Sequence, residues 1–146
     1  MDSVCPSFSL EVRYMTAERI YEIACHGVFT AADDDEDFKT FSPALLTMCM
    51  LEAMPYENMI RAIDGRTPLR AEDIPDLAAV DETEIDMFDP RIVRLALPYG
   101  LKAYLLEDDG SRKAEAVLYR NRFIETLGDI TPAVFEDIAD SGEGGE

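Results

Sequence analysis

Residues 96–127 read ALPYGLKAYLLEDDGSRKAEAVLYRNRFIETL. An apolar helical stretch carries Pro98 at its centre and breaks at the acidic turn Glu107-Asp108-Asp109-Gly110. Ser111 is a good N-cap for a second helix, running to Gly128, with four bases: Arg112, Lys113, Arg120 and Arg122. At about 100° per residue, Ala114, Val117, Leu118, Asn121 and Ile124 share one face of this second helix. Ala116, Tyr119, Phe123 and Leu127 share the opposite face. Both sets match the spacing of an amphipathic stripe. A helix with two apolar faces is sandwiched, either inside its own domain or between that domain and a partner.

The helix before it opens at Asp89-Pro90, an N-cap followed by proline at the first helical position. Pro98 removes a donor and crowds the carbonyl four residues back, which predicts a kink near Arg94. Arg91, Arg94 and Lys102 lie on one side of this helix, and residues 90–106 contain no acid. They are candidate contacts for a phosphate backbone in a DNA channel or for an acidic partner surface. On a solvated face they would merely snorkel.

Upstream, Ser42-Pro43 predicts another helix start. ALLTMCMLEAM (44–54) is apolar nearly all round, with only Thr47 and Glu52 polar. Such a helix is buried on every side or completed by a neighbouring subunit. Leu45, Met48 and Leu51, together with Ala116, Tyr119, Phe123 and Leu127, are therefore the candidate interface residues. Pro55 is expected to end or kink this helix. PYENMIRAID then continues as a short helix closed by Gly65. Residues 66–88, with two prolines and seven acids, read as an extended connector whose Leu69, Ile74, Leu77, Val80, Ile85 and Met87 dock it to a surface.

Towards the N-terminus, Phe8, Leu10, Val12 and Tyr14 alternate with polar residues, predicting a short strand or arm. Thr16 looks like the N-cap of a first helix that Gly27 stops, with Ile20, Ile23, Ala24 and Gly27 on its packing face. Asp33-Asp34-Asp35-Glu36-Asp37 reads as a solvated loop. Its five adjacent carboxylates lack the alternation and central glycine of a calcium loop. Thr131-Pro132 opens a last short helix, AVFEDIAD, before the acidic tail SGEGGE. The fold class is thus mostly α: a small bundle of four to five helices with a kinked third main helix, an extended connector and an N-terminal strand or arm. Residues 1–40 form the arm, first helix and acidic loop, 41–128 the helical core, and 129–146 the last helix and tail.

Net charge is −18, from 13 bases and 31 acids, which argues against general affinity for nucleic-acid phosphates. The charge is uneven: residues 90–127 hold seven bases against five acids, the remainder six against 26. No apolar run approaches the roughly 20 residues that span a bilayer, and the N-terminus lacks a signal-peptide pattern. Synthesis in the cytoplasm, without a membrane partner, is the expectation. Cys5, Cys25 and Cys49 lack zinc-ligand or disulfide spacing and are expected reduced. Adjacent Cys25 and His26 diverge on a helix, which is poor geometry for nucleophile and base. No phosphate-binding or nucleophile-elbow motif occurs, so neither catalysis, cofactor nor metal is expected.

LPYGLKAYLLEDDGSRKAEAVLYRNRFIETL, with PYENMIRAIDGRTPL upstream, resembles the C-terminal helical pair of phage head–tail connector (neck or adaptor) proteins. The likeness covers residues 40–128. It implies a mostly helical virion subunit, made in the host cytoplasm and placed in the neck. There it would form a homo-oligomeric ring on the portal protein, meet a downstream neck or tail-completion protein, and leave a channel in which genome DNA makes non-specific contact. A different class, suggested by the charge alone, is a small acidic regulator that mimics DNA on a basic protein surface. Acids clustered at 33–37, 72–86 and 107–109 favour the connector, because a mimic should carry them on ordered helical faces.

Overall fold

A computed structural model describes residues 14–28, 36–107 and 109–131 of the chain. Four α-helices occur among them: α1 (Ala17–Cys25), α2 (Glu36–Asp64), α3 (Leu97–Glu107) and α4 (Lys113–Ile130). The chain is mostly α, as its periodicity predicts. The strand expected over residues 8–14, the helix over 133–140, the acidic tail and Cys5 fall outside the described residues, apart from Tyr14, which is in no strand. The described β structure is a single antiparallel bridge, Thr16 with Glu84.

α1 is started by Thr16 and by the connector together. The Thr16 hydroxyl accepts from the Arg19 N–H at 3.1 Å. The Ala17 and Glu18 N–H groups donate to the carbonyls of Thr83 and Asp81, and Ile20 N–H reaches the Thr16 carbonyl. The N–H groups of Ala17, Glu18 and Arg19, which have no partner within the helix, are thereby paired, and Ile20 makes the first regular bond. At the other end Gly27 takes φ +81°, and Arg112 donates to the carbonyls of Val28 and Gly27 at 2.6 and 2.8 Å. The buried face is Ala17, Ile20, Tyr21 and Ala24. Ile23, expected on it, stands at the rim instead.

α2 corrects two sequence expectations. Pro43 and Pro55 are both internal to one 29-residue helix, so Ser42-Pro43 is no start and Pro55 no end. Proline fixes a helix-compatible φ; what it removes is one donor. At Pro55 the bond lost is the one to the carbonyl of Leu51, and both residues face solvent, so water can replace it. The turn before Pro43 is held by Phe38, which packs on the core. Gly65, at φ +72°, does close the helix. Its N–H meets the Ala62 carbonyl and that of Arg66 meets Arg61 at 2.8 Å, the paired bonds of a left-handed glycine cap.

The connector 66–88 is docked along α2. Leu69, Ile74, Leu77, Ile85 and Phe88 are buried, with Val80 and Met87 packed beside them. Polar residues of α2 hold its backbone. Asn58 both donates to and accepts from Leu69, at 3.1 and 2.7 Å. Thr47 does the same with the Pro75 carbonyl and Leu77 N–H. Arg61 reaches the carbonyls of Thr67 and Met87. The fully buried Glu57 accepts from Asp89 N–H and from the Arg61 guanidinium, both at 2.7 Å.

Asp89 starts the next helical segment as expected, its carboxylate accepting from Arg91 N–H. A π-helical turn over Ile92–Ala96 stands where a kink was predicted. Leu97 N–H donates to Ile92, five residues back. Because Pro98 has no N–H to continue the α ladder, this wider turn absorbs the mismatch. α3 and α4 then lie antiparallel and close. A Cβ at Gly100 would sit 3.0 Å from Cys49 Sγ and 3.1 Å from the Phe123 ring. Only glycine admits this approach of three helices. Burial pushes the Cys49 thiol well above its ordinary range, which keeps it protonated in the core.

Candidate functional site: an open apolar face and a tyrosine-lined cationic cleft

The two faces of α4 have opposite fates. Ala116, Phe123 and Leu127 are buried in the chain's own core and Tyr119 is half-buried. Their placement at an intersubunit interface is therefore corrected: this face is filled by α3, because Gly100 opposite Phe123 makes room for the ring. The other face is open, with Val117 60%, Leu118 45% and Ile124 40% exposed. α2 has the same construction. Leu46, Cys49, Met50 and Ala53 are buried, while Phe41, Met48 and Leu51 are 57%, 45% and 38% exposed and Leu45 is half-buried.

An ion pair joins the two open faces. Arg120 on α4 meets both carboxylate oxygens of Glu52 on α2, at 2.9 and 2.6 Å, a bidentate geometry. The Tyr104 hydroxyl donates to the same carboxylate at 3.0 Å. Helical spacing puts Met48 one turn before Glu52, and Val117 and Ile124 about one turn either side of Arg120. Each member of the pair thus stands at the border between its helix's buried and open sides. Partial burial would raise the Glu52 carboxyl, but hydrogen bonds from Arg120 and Tyr104 outweigh it and hold it below the ordinary range. Burial first, then Glu52, push the Tyr104 phenol up to about 12.

The candidate cations separate. Arg91 makes a two-point pair with Asp89, at 2.9 Å for each contact, and lines a cleft with Ile60, Ile63 and Thr131. It does not join the other two. Arg94 and Lys102 flank two adjoining clefts that share Ile23, Pro98 and Tyr99, of about 370 and 390 Å³. Tyr99 stacks on Tyr119 with ring centres 6.0 Å apart. Lys102 lies 4.6 Å from the Tyr119 centre, and Arg122 lies 5.6 and 6.0 Å from Tyr119 and Tyr99, within cation–π range. Among the described residues, Arg94, Lys102, Lys113 and Arg122 make no ion pair. Lys102 and Arg122 lie over the tyrosine pair, and Arg94 shares a cleft wall with Tyr99. In so acidic a chain that concentration of unpaired positive charge is the distinctive electrostatic feature.

Sequence reasoning missed Tyr99 as a wall of this cleft, and Tyr119 and Arg122 as its stacking and cation–π neighbours. Their signal was present as an aromatic on each of two consecutive helices with bases one turn away, but only the antiparallel pairing of α3 and α4 brings them together. His26 caps α1 and lines the cleft, exposed. No described helix is long and apolar enough to cross a membrane. The chain matches no family model, no curated protein and no solved structure.

Proposed function

We propose that this chain is a virion structural subunit, a phage head–tail connector that acts by ring assembly and not by catalysis. The observation that carries the reading is the pair of apolar faces left outside a closed core: Phe41, Met48 and Leu51 on α2, and Val117, Leu118 and Ile124 on α4. Single exposed apolar residues are ordinary, but stripes on two helices joined at one ion pair are the composition of a contact surface. The helical pair that bears the resemblance to connectors includes α4, which carries the second stripe. Net charge of −18 keeps free subunits apart until they dock. The partners on this reading are further copies of the chain, the portal protein, a downstream neck protein and, in the channel, the genome.

The test is to count this protein against the major capsid protein in purified particles of the phage that encodes it. A fixed, ring-like copy number far below the capsid's is the expected result. Absence from the particles overturns the reading.

A further inference from the structure

We propose that the cationic cleft binds the acidic segment AVFEDIAD, residues 133–140, of a second copy of this chain. The proposal rests on the ring reading for its choice of a second copy, and on the cleft itself for the chemistry of the ligand.

The ligand must be anionic, because Lys102 and Arg122 lie over the Tyr99–Tyr119 stack and Arg94 shares a wall with Tyr99, none of them in an ion pair, while the acid on the wall, Glu22, is already paired with Arg19. It must also be partly apolar. The shared floor is Ile23, Pro98 and Tyr99, with Leu95 beside Arg94, and a phosphodiester brings nothing to cover it. The two clefts, at about 370 and 390 Å³, accept a few side chains and not a duplex. The charge of the rest of the chain repels DNA from the approach. An acidic peptide with interleaved apolar residues satisfies each requirement.

The sequence offers few such peptides. Asp33–Asp37 has no apolar residue, and the Phe38 that follows is already packed on the core. The connector's apolar residues are docked along α2. Segment 133–140 remains, with Val134, Phe135 and Ile138 beside Glu136, Asp137 and Asp140. Thr131, the last described residue, lies in the separate cleft of Ile60, Ile63 and Arg91. A segment of one copy seated on the next is a heterologous contact, the kind that closes a ring.

The experiment is fluorescence anisotropy of a labelled peptide spanning 132–146, titrated with the full chain at low salt. Saturable binding is expected. The double variant Lys102→Gln, Arg122→Gln weakens it about tenfold, as two exposed charge pairs allow. Lys113→Gln, an unpaired cation outside the cleft, leaves it unchanged, and so does the helical circular dichroism of every variant. Phe135→Ser in the peptide also weakens binding. No saturable binding overturns the proposal, as does binding indifferent to the cleft variants or preference of the cleft for a DNA oligonucleotide. The readout needs no ring, so a peptide that binds while the protein is missing from particles would sink the connector reading alone.

Discussion

Gly100 and Phe123 are one structural decision. The ring of Phe123 is fully buried and occupies the space that any Cβ at Gly100 would claim. Phe123→Ala is expected to cost about 3–5 kcal/mol, measured by urea unfolding; a loss under about 1 kcal/mol would place that face elsewhere. Two glycines supply a sharper comparison, because both lie inside helices where alanine is intrinsically better by about 0.5–1 kcal/mol. A Cβ at Gly128 meets nothing within 4 Å, so Gly128→Ala stabilises by about that amount. Gly100→Ala has the opposite sign, with overpacking against Cys49 and Phe123 costing about 1–3 kcal/mol.

Glu52 has a pH signature. Its carboxyl is held below the unfolded value, so its contribution is present above the ordinary carboxylate range and is lost as pH falls through the folded pKa. Urea midpoints of the wild type and Glu52→Gln therefore differ most near neutral pH and converge on acidification. A gap that stays constant down to pH about 3, below the ordinary carboxylate range, would mean that the pair does not titrate with folding. Which acid Arg120 would choose was not legible in the sequence: 31 carboxylates compete, and only the packing of α4 beside α2 selects Glu52.

At the scale of elements, the connector behaves as part of the core. Residues 66–88 have no regular secondary structure beyond a short 3₁₀ turn at Ala71–Asp73 and the single bridge of Glu84 with Thr16. Their backbone bonds go instead to Thr47, Asn58 and Arg61 of α2 and to the backbone of Met15, Ala17 and Glu18 at the start of α1. Asn58→Ala removes both partners of Leu69 and is expected to cost about 1–3 kcal/mol, with faster amide exchange confined to the segment around Leu69. Exchange that rises evenly over the whole chain would show the clamp to be global instead. The connector's apolar residues were readable as docking residues from their spacing among acids. Their anchor was not, because Thr47 and Asn58 look like incidental polar positions until the connector lies against them. Pro43 and Pro55 misled for a related reason: local propensity marks proline as a breaker, whereas packing of Phe38 and Ala53 on the core carries the helix through.

At the scale of the whole molecule, the open stripes decide behaviour in solution. Met48→Asp with Val117→Asp lies outside the core and is expected to leave stability within about 0.5 kcal/mol per site. Sedimentation velocity at rising concentration is expected to show larger species for the wild type and a monomer for this variant. Equal sedimentation of the two would remove those residues from any self-contact.

By itself the sequence determined a mostly helical chain, the two caps at Thr16 and Asp89, the glycine stops at Gly27 and Gly65, the docking of the connector, and the presence of two apolar faces on α4. Each follows from spacing or from the conformational limits of single residues, which act over one or two turns. Tertiary structure alone decided which of the two faces is core, that Arg91 leaves the other cations for Asp89, and that Lys102 and Arg122 share a tyrosine stack. Periodicity gives a face its polarity but not its partner. That choice is made by shape across the helix contact, where a missing Cβ at Gly100 admits the Phe123 ring and so turns Val117, Leu118 and Ile124 outward.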